Sequence, residues 1–493
     1  MFKSLNRRLF ISGLLSLVAV PGEAAAPLQS LRPHARPGTM PPAPKSADAL
    51  VKASGLSGRL SYAVAHAQTG QMLEIKDEIG GLPPASVMKA ITATYALETL
   101  GAGHRFETRV LATGPVAGGV VQGDLVLVGG GDPTLDTDGL VALVVALKGA
   151  GVRKVAGRFL VWGGALPYAP EIDKAQPDHV GYNPAISGLA LNFNRLHFEW
   201  KRKGNGWGVS MDARSDTVKP AVRIARMAIV DRSLPIYTYR EVNGVESWTV
   251  ARGALGKGGS RWLPVRHPDL YAAEVFRVLA RAQGIDLPEE ARAAALPEGQ
   301  VLARRASEGL DVLLKDMLKH STNLTAEMVG MAASQKRSGA VADLRASARE
   351  MQRWAETRLG MVNPTFVDHS GLGEDSRITA AGMVSALLTA RKLGLKPLLK
   401  EVAMRDAKGK LDKNHPLKVA AKTGTLNFAS SLAGFVTTPK GGELVFAIFS
   451  VDPKLRAAIK EAEREKPRGA PQWNKKAKAL QQALLERWGK AYG

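Results

Sequence analysis

Two adjacent prolines, at positions 83 and 84, separate a β-type pattern from a helical pattern in the amino-terminal part of the chain. Before them, residues 60–66 and 72–75 alternate in polarity around a Gln-Thr-Gly turn, which predicts a hairpin. After them, residues 90–98 favour a helix, and Gly101 suits its carboxyl end. Proline is tolerated at a helix start and not in its interior, so Ser86 and Lys89 are expected in the first turn.

At this position the side chains of Ser86 and Lys89 can interact. Residues three apart share one face of a helix, so the Lys89 amine can reach the Ser86 hydroxyl. Unpaired N–H groups at a helix start also favour developing negative charge. A serine nucleophile with a lysine base is one interpretation. Ser-x-x-Lys also occurs by chance, and a solvated helix start is the alternative.

Two further short motifs supply potential partners for this pair. Ser321 and Asn323 interrupt two helical patterns, where a loop can direct a hydroxyl and an amide into a cleft. The pattern after Pro416 returns to strands, and the first of them contains Lys-Thr-Gly-Thr at 422–425. Glycine there permits close approach of a ligand, and Lys422 supplies a cation. We expect Ser321 to relay a proton and Asn323 to hold the lysine and a substrate amide.

Composition limits the class of protein. The 493 residues include no cysteine, which excludes disulfides, thiolate metal sites and a cysteine nucleophile. The formal charge of +22 indicates anionic surroundings: nucleic acid, an acidic membrane surface or an acidic wall polymer. No basic helix interleaved with aromatic residues is present, so nucleic acid is not expected as a partner.

The amino terminus indicates export. Lys3, Arg7 and Arg8 precede an uncharged stretch at 9–20, and small residues follow at 22 and 24–26. This pattern predicts a signal peptide over 1–26 and a periplasmic protein. The arginine pair also fits a twin-arginine signal, and an ordinary secretion signal remains the alternative. Six prolines in residues 27–46 predict a linker.

The remaining pattern divides into blocks. Residues 102–267 are rich in glycine and short β-type runs, which predicts one or more inserted strand-rich domains. Helical patterns dominate after 268, and a strand meander ends near 452, so 47–101 and 268–452 are expected to form one discontinuous catalytic domain. Residues 453–493 form a basic tail whose amphipathic helix packs on the protein or, through Lys475, Lys476 and Lys478, contacts a membrane surface.

The three motifs in this order resemble those of penicillin-binding proteins and serine β-lactamases. The 235 positions from Ser86 to Ser321 are more than a β-lactamase uses. The chain therefore resembles the class C low-molecular-mass penicillin-binding proteins, D-alanyl-D-alanine carboxypeptidases and endopeptidases of the penicillin-binding protein 4 type. Residues 123–127, 131–135, 191–194 and 368–372 also match that type. The resemblance implies an α/β (α+β) fold: a transpeptidase-like domain, with an antiparallel sheet flanked by helices, plus the strand-rich insertion.

The resemblance also implies roles. Ser86 would attack the carbonyl between two D-alanines of a peptidoglycan stem peptide and form an acyl-enzyme, with Lys89 as general base. The N–H groups of Ser86 and Thr425 would form the oxyanion hole. β-Lactams would acylate Ser86 as substrate mimics, and neither a metal nor an organic cofactor is needed. The expected substrate-binding residues are Lys422, Thr423, Gly424 and Thr425.

One stretch departs from the resemblance. The family commonly has Ser-Arg-x-Asn after Ser370-Gly371-Leu372, with the arginine expected to bind the diaminopimelate carboxylate, and this chain has Glu374 there. Arg377 is a candidate substitute, and Asp178 a candidate partner for the side-chain amine. Two other functions are the alternatives: a β-lactamase or esterase on the same scaffold, and a non-catalytic wall-binding protein.

Overall fold

The computed structural model describes residues 45–76, 81–406 and 408–493, and residues 45–493 form one compact unit. The expected signal peptide, 1–26, lies outside the described residues. The expected linker, 27–46, lies outside them except for its last two positions. One of these, Ser46, accepts a hydrogen bond from the Ala49 N–H and caps the first helix.

The described chain contains nineteen strands and ten α-helices. The strands are β1 Arg59–His66, β2 Met72–Lys76, β3 Glu107–Ala112, β4 Val116–Ala117, β5 Val120–Val121, β6 Leu125–Gly129, β7 Lys154–Val155, β8 Phe159–Trp162, β9 Arg195–Lys203, β10 Gly206–Asp212, β11 Ala225–Val230, β12 Tyr237–Val242, β13 Val245–Ala251, β14 Gly258–Pro264, β15 Glu290–Arg292, β16 Gln300–Ala306, β17 Lys418–Leu426, β18 Ala429–Thr437 and β19 Glu443–Val451. The α-helices are α1 Ala47–Ser54, α2 Met88–Leu100, α3 Thr137–Gly149, α4 Pro268–Ala282, α5 Leu310–His320, α6 Asn323–Ser338, α7 Leu344–Leu359, α8 Ala380–Lys392, α9 Pro453–Ala457 and α10 Ala470–Tyr492. Short 3₁₀ helices span Ala85–Val87, Asn192–Asn194, Arg252–Ala254, Lys396–Leu398 and Glu461–Glu463.

A five-stranded antiparallel sheet, the catalytic sheet, has the order β17-β18-β19-β1-β2. Every residue of β19 is buried, as expected for a central strand covered on both faces. Ala447 lies opposite Ala63 on one side and Ala433 on the other. The predicted hairpin and meander are therefore confirmed, and β17 lies at an edge of the sheet.

Helices cover both faces of the catalytic sheet. Residues of α2, α5, α6, α7 and α8 share a hydrophobic cluster with one face. On the other face, Leu484 and Trp488 of α10 pack with Tyr62 and Phe446. The amphipathic helix of the tail thus buries its apolar face on the protein, which is the first of the two predicted arrangements.

The insertion has its own core around a second five-stranded sheet, β15-β8-β6-β3-β16, and helices α3 and α4. Two smaller sheets, β10-β9-β14 and β11-β13-β12, extend it. Residues 268–306 belong to this body: Phe276 of α4 packs on Phe159 of β8, and β16 pairs with β3. The expected boundary at 267 is therefore misplaced, and the packing changes near residue 307, because the amphipathic pattern of α4 predicts a helix without indicating which core it joins.

Within the part of the chain that the structure describes, every helix is too short or too polar to cross a lipid bilayer.

Candidate active site

Ser86 lies in the 3₁₀ turn Ala85–Val87, which leads directly into α2. The preceding Ala85 has φ 48°, a left-handed conformation that costs about 1–2 kcal/mol in a residue with a Cβ. Gly371 packs against this turn, and a Cβ placed on it would lie 1.9 Å from the Ala85 carbonyl oxygen. The nucleophile turn is thus held by a backbone contact that requires glycine at position 371.

The Lys89 ammonium group is fully buried and has three partners. Its Nζ lies 3.1 Å from Ser86 Oγ, 2.7 Å from Asn323 Oδ1 and 2.9 Å from the Ser370 carbonyl oxygen. A neutral amine has two N–H bonds and one lone pair. When Lys89 is neutral, the amide and carbonyl oxygens accept hydrogen bonds from its two N–H groups, which leaves its lone pair for the Ser86 hydroxyl proton.

Burial sets the charge of this amine. Desolvation lowers the pKa of Lys89 to about 8, while the nearby carboxyls of Glu327 and Asp368 oppose that shift. A pKa near the working pH suits a general base, because a substantial fraction of the amine is then neutral.

Glu327 and Asp368 hold the loop that contacts the Lys89 amine. The Glu327 carboxylate accepts hydrogen bonds from the N–H groups of His369 and Ser370, at 2.8 and 2.9 Å. Asp368 accepts from Gly371 at 2.7 Å and from Gly373 at 2.6 Å. Both carboxyls are fully buried, and burial raises the pKa of each. They fix the loop whose carbonyl, at Ser370, holds Lys89.

A second buried lysine lies on the edge strand. Lys422 Nζ donates to Ser321 Oγ at 3.0 Å and to the Thr423 carbonyl at 2.7 Å. Ser321 ends α5 with φ 60°, a conformation that turns the chain between α5 and α6. Desolvation, with repulsion from Lys89 and Lys400, lowers the pKa of Lys422 to about 6 in the free protein. A bound carboxylate would favour the charged form of Lys422.

Strand β17 passes close to the nucleophile. A Cβ placed on Gly424 would lie 3.1 Å from the Ser86 nitrogen and 3.0 Å from the Pro84 carbonyl oxygen. Glycine therefore permits the strand to approach the turn. Ser86 and Thr425 line one cleft of about 490 Å³. The other residues lining this cleft are Ala175, Gln176, Tyr182, Ser321, Asn323, Gly371, Leu372, Glu374, Leu426, Asn427, Arg456, Ala457, Ile459, Arg464, Glu465 and Asn474.

The insertion also reaches the cleft. The Tyr182 carbonyl oxygen accepts a hydrogen bond of 2.9 Å from Asn323 Nδ2. Asn323 therefore links Lys89, through its amide oxygen, to the insertion, through its amide nitrogen.

Two predicted side-chain contacts are not supported by the placement of their residues. Arg377 turns back on its own loop, donating to the carbonyls of Glu374 and Ser376, and lines a neighbouring cleft without Ser86. Asp178 is exposed and is not among the residues lining the Ser86 cleft, and its backbone carbonyl accepts from Arg266 at 2.9 Å. Glu374, which replaces the expected arginine, forms an ion pair with Arg456 at 2.6 Å.

Several residues of the site escaped the sequence analysis. Glu327 could have been found from the sequence, since it is the one charged residue in the mostly apolar stretch 324–333, four residues after Asn323. Arg456, Arg464 and Glu465 carried none, because a charge-rich segment near the end of a chain is ordinarily a solvated surface. The described residues contain no group of three or more His, Asp or Glu side chains arranged to hold a metal ion.

A buried amine directed at a serine hydroxyl, beside a second lysine on an edge strand, is the arrangement of a serine acyl-transfer enzyme. The chain belongs to the D-Ala-D-Ala carboxypeptidase 3 (S13) family, which it matches over residues 45–467. It is accordingly a serine-type carboxypeptidase.

Individual relatives agree. A D-alanyl-D-alanine carboxypeptidase of Actinomadura sp. (strain R39) is 27% identical over 441 residues, covering 81% of this chain and 79% of the relative. The D-alanyl-D-alanine carboxypeptidase DacB of Haemophilus influenzae is 25% identical over 392 residues, covering 74% of this chain and 79% of the relative. The crystal structure of penicillin-binding protein 4 from Haemophilus influenzae has the same fold, with a TM-score of 0.70, 21% identity, and coverage of 90% and 99% of the two chains.

Proposed function

We propose that the protein hydrolyses the bond between two D-alanines of peptidoglycan stem peptides, and the equivalent bonds of cross-links, through an acyl-enzyme on Ser86. The single observation that carries this proposal is the environment of Lys89, whose Nζ is held by Asn323 and Ser370 and lies 3.1 Å from Ser86 Oγ.

In the first half-reaction Ser86 Oγ attacks the carbonyl carbon, and its proton passes to the Lys89 amine. The N–H groups of Ser86 and Thr425 stabilise the oxyanion, by about 3 kcal/mol for each donor. The C–N bond then breaks, and the proton taken up by Lys89 passes to the departing amine through Ser321 Oγ, which lies beside Lys422, so that Lys89 is neutral again. In the second half-reaction water attacks the ester carbonyl carbon and gives a proton to Lys89; the bond from this carbon to Ser86 Oγ then breaks, and Lys89 returns the proton to Oγ.

Lys422 and Thr423 bind the terminal carboxylate of the substrate in this scheme. The buried Lys422 amine donates to Ser321 Oγ, the proposed proton relay, and to the Thr423 carbonyl. Arrival of a carboxylate stabilises its charged form, so binding is accompanied by proton uptake above about pH 6, where the Lys422 amine of the free protein is largely neutral.

β-Lactams are proposed to acylate Ser86 because they mimic the same peptide. In support, penicillin-binding protein 4 of Haemophilus influenzae, which has this fold at a TM-score of 0.67, has been crystallised in complex with a β-lactam. Membership of a family of cell-wall enzymes is consistent with a location outside the cytoplasm. We propose the periplasm, reached through the signal peptide, and attraction of the +22 chain to an anionic wall or membrane surface.

A β-lactamase function is disfavoured by the placement of the acids. A dedicated deacylating carboxylate would have to face the ester, whereas Glu327 and Asp368 are buried and bound to backbone N–H groups. The two acids that line the cleft, Glu374 and Glu465, are paired with arginines.

The test combines labelling with hydrolysis. The wild-type protein should bind labelled penicillin covalently and release D-alanine from a pentapeptide, and Ser86→Ala should do neither. Lys89→Ala should slow labelling by about 100-fold or more, since general bases contribute about 10²–10⁴ in rate. Intact labelling of folded Ser86→Ala would reject the proposal. Purified cross-linked muropeptides, tested beside the pentapeptide, report which bond is cut faster.

A further inference from the structure

The segment 459–465, here called the C-terminal strap, forms part of the wall of the cleft. It connects α9 to α10 and contains the 3₁₀ helix Glu461–Glu463. Ile459, Arg464 and Glu465 line the cleft together with Ser86. The strap therefore belongs to the site in space, although it follows the last catalytic strand in sequence.

Glu465 fastens the strap to the insertion. Its two carboxylate oxygens lie 2.8 Å from His179 Nε2 and 2.8 Å from Arg261 Nη2. The ring of His179 stacks on Tyr237 with centroids 4.9 Å apart, and the Arg261 guanidinium lies over the same ring at 4.9 Å. Hydrogen bonds from His179 and Arg261 lower the pKa of Glu465 to about 2. The carboxylate thus occupies a formed, charged socket on the insertion.

Arg464 connects the same segment to both sides of the cleft. Its carbonyl oxygen accepts from Asn427 Nδ2 at 2.6 Å, next to the end of strand β17. Its guanidinium donates to the Ala175 carbonyl of the insertion at 2.9 Å. The Arg464 main chain is thus tied to the end of β17, and its side chain, which lines the cleft, is tied to the insertion.

The direction of β17 shows which part of a substrate would meet the strap. Lys422 and Thr423 precede the Ser86 contact at Gly424, and Leu426 and Asn427 follow it. An extended strand advances about 3.3 Å per residue, so Leu426, the last residue of β17, lies about 10 Å from Thr423 along the strand, and Asn427 follows it in the turn to β18. With the terminal carboxylate at Lys422, the acyl half of the substrate extends towards Asn427 and Arg464.

Of the described residues that line the cleft, two are arginines, Arg456 and Arg464, and they differ in their partners. Arg456 is paired with Glu374, and Glu465 forms an ion pair with Arg261 and a hydrogen bond with His179. Arg464 has no acidic side chain within ion-pair distance among the residues that the structure describes. A guanidinium with free N–H groups in a cleft is suited to a carboxylate.

We infer that Arg464 binds a carboxylate in the acyl half of the substrate, and that Glu465 is the positioning residue that holds Arg464 there. The inference rests on the proposed function. Arg464, in the C-terminal strap, would thus make the contact with the diaminopimelate carboxylate that neither Arg377 nor Glu374 is placed to make.

The test uses two peptides that differ by one carboxylate: N-acetyl-L-lysyl-D-alanyl-D-alanine and its meso-diaminopimelyl counterpart. The wild-type protein should prefer the diaminopimelyl peptide in kcat/KM. Arg464→Gln should reduce that preference by about 10-fold or more, mainly through KM, because a charge-assisted hydrogen bond is lost. Glu465→Gln should reduce it in the same direction, with a smaller change.

Arg468→Gln is the matched control, since Arg468 is an exposed arginine of the same region and does not line the cleft. It should keep the wild-type preference. Equal losses on both peptides in Arg464→Gln, or no preference in the wild-type protein, would overturn the inference. Labelling of Ser86 by penicillin, measured on every variant, reports folding and the proposed function separately: a labelled wild type without preference rejects the role of Arg464 alone.

Discussion

Lys89 Nζ and Asn323 Oδ1 are 2.7 Å apart, although 234 positions separate the two residues in the chain. The whole insertion lies between them in sequence, yet the two side chains are directly hydrogen-bonded. The contact makes the proposed base depend on the packing of α2 against α6, so the catalytic group is defined by tertiary structure and not by its own helix.

The pH dependence of acylation should follow Lys89. Its pKa is lowered to about 8 by burial, and only the neutral amine can accept the Ser86 proton. The acylation rate at saturating benzylpenicillin should therefore rise with pH and level off above about 8, and at pH 6 it should be about 100-fold below the plateau. Stopped-flow kinetics between pH 5.5 and 9 would measure this. A rate that does not change between pH 6 and 8 would contradict the assignment of Lys89 as the base.

Glu327→Gln should move the same profile to lower pH. The Glu327 carboxyl raises the pKa of Lys89, so its neutral replacement lowers that pKa and enlarges the neutral fraction at acidic pH. The variant should also lose about 1–3 kcal/mol of stability, because an amide oxygen cannot accept both backbone N–H groups as the carboxylate does.

The control is Glu350→Gln. Glu350 is another largely buried acid of the helical layer, and it pairs with Arg337 and Arg353 instead of supporting the base. Its pH profile should match that of the wild type. If Glu327→Gln loses stability without any displacement of the profile, Glu327 has a structural role alone.

Gly371→Ala should impair both stability and acylation. Any Cβ at this position would collide with the Ala85 carbonyl oxygen, directly before the nucleophile, in addition to requiring φ +75°. We expect a loss of about 2–5 kcal/mol, combining backbone strain with overpacking, and slower labelling of Ser86.

Gly394→Ala separates the two causes. Gly394 has φ +89° and open space where its Cβ would lie, so the variant meets the backbone strain without the collision. It should lose about 1–2 kcal/mol and keep its acylation rate. Thermal unfolding and labelling kinetics of the two variants, compared directly, give the answer; equal effects would show that the contact with Ala85 is unimportant.

Trp488→Ala should destabilise the protein by about 3–5 kcal/mol, because this buried side chain packs on Tyr62 and Phe446 and its indole N–H donates to Glu74 at 3.0 Å. Lys490→Ala, on the exposed face of the same helix, should change stability by no more than about 0.5 kcal/mol. Denaturant unfolding measures both. A small effect at Trp488 would mean that α10 contributes little to holding the catalytic sheet.

Local patterns in the sequence were sufficient for part of this site. The spacing of Ser86 and Lys89 is a property of one helix, and the structure brings this pair together with Ser321, Asn323 and Lys422. The fold class follows from the same motifs, and it is confirmed. These predictions start from short motifs, and the order and spacing of the motifs along the chain carry the resemblance that implies the fold class.

The remaining contacts depend on how distant segments meet. Arg377 was a reasonable candidate by position, yet its guanidinium is taken by carbonyls of its own loop. The strap reaches the insertion through single side chains of a polar segment, and no periodicity marks such contacts. Likewise, α4 has an apolar face that two cores could accommodate, so its place in the insertion could not be deduced from that face.

The pairing of β1 with β19 has a consequence for the order in which the chain acquires structure. Ala63 and Ala447 face each other across 384 positions, so a growing polypeptide cannot complete the catalytic sheet until nearly all of it has been made. The insertion closes its main sheet earlier, between β3 and β16, whose paired residues are separated by about half as many positions. Long-range pairing is slow because the chain loses loop-closure entropy before the new contacts stabilise it. We therefore expect the insertion to fold first. The catalytic sheet, with Ser86 and Lys89 beside it, would then form against the folded insertion.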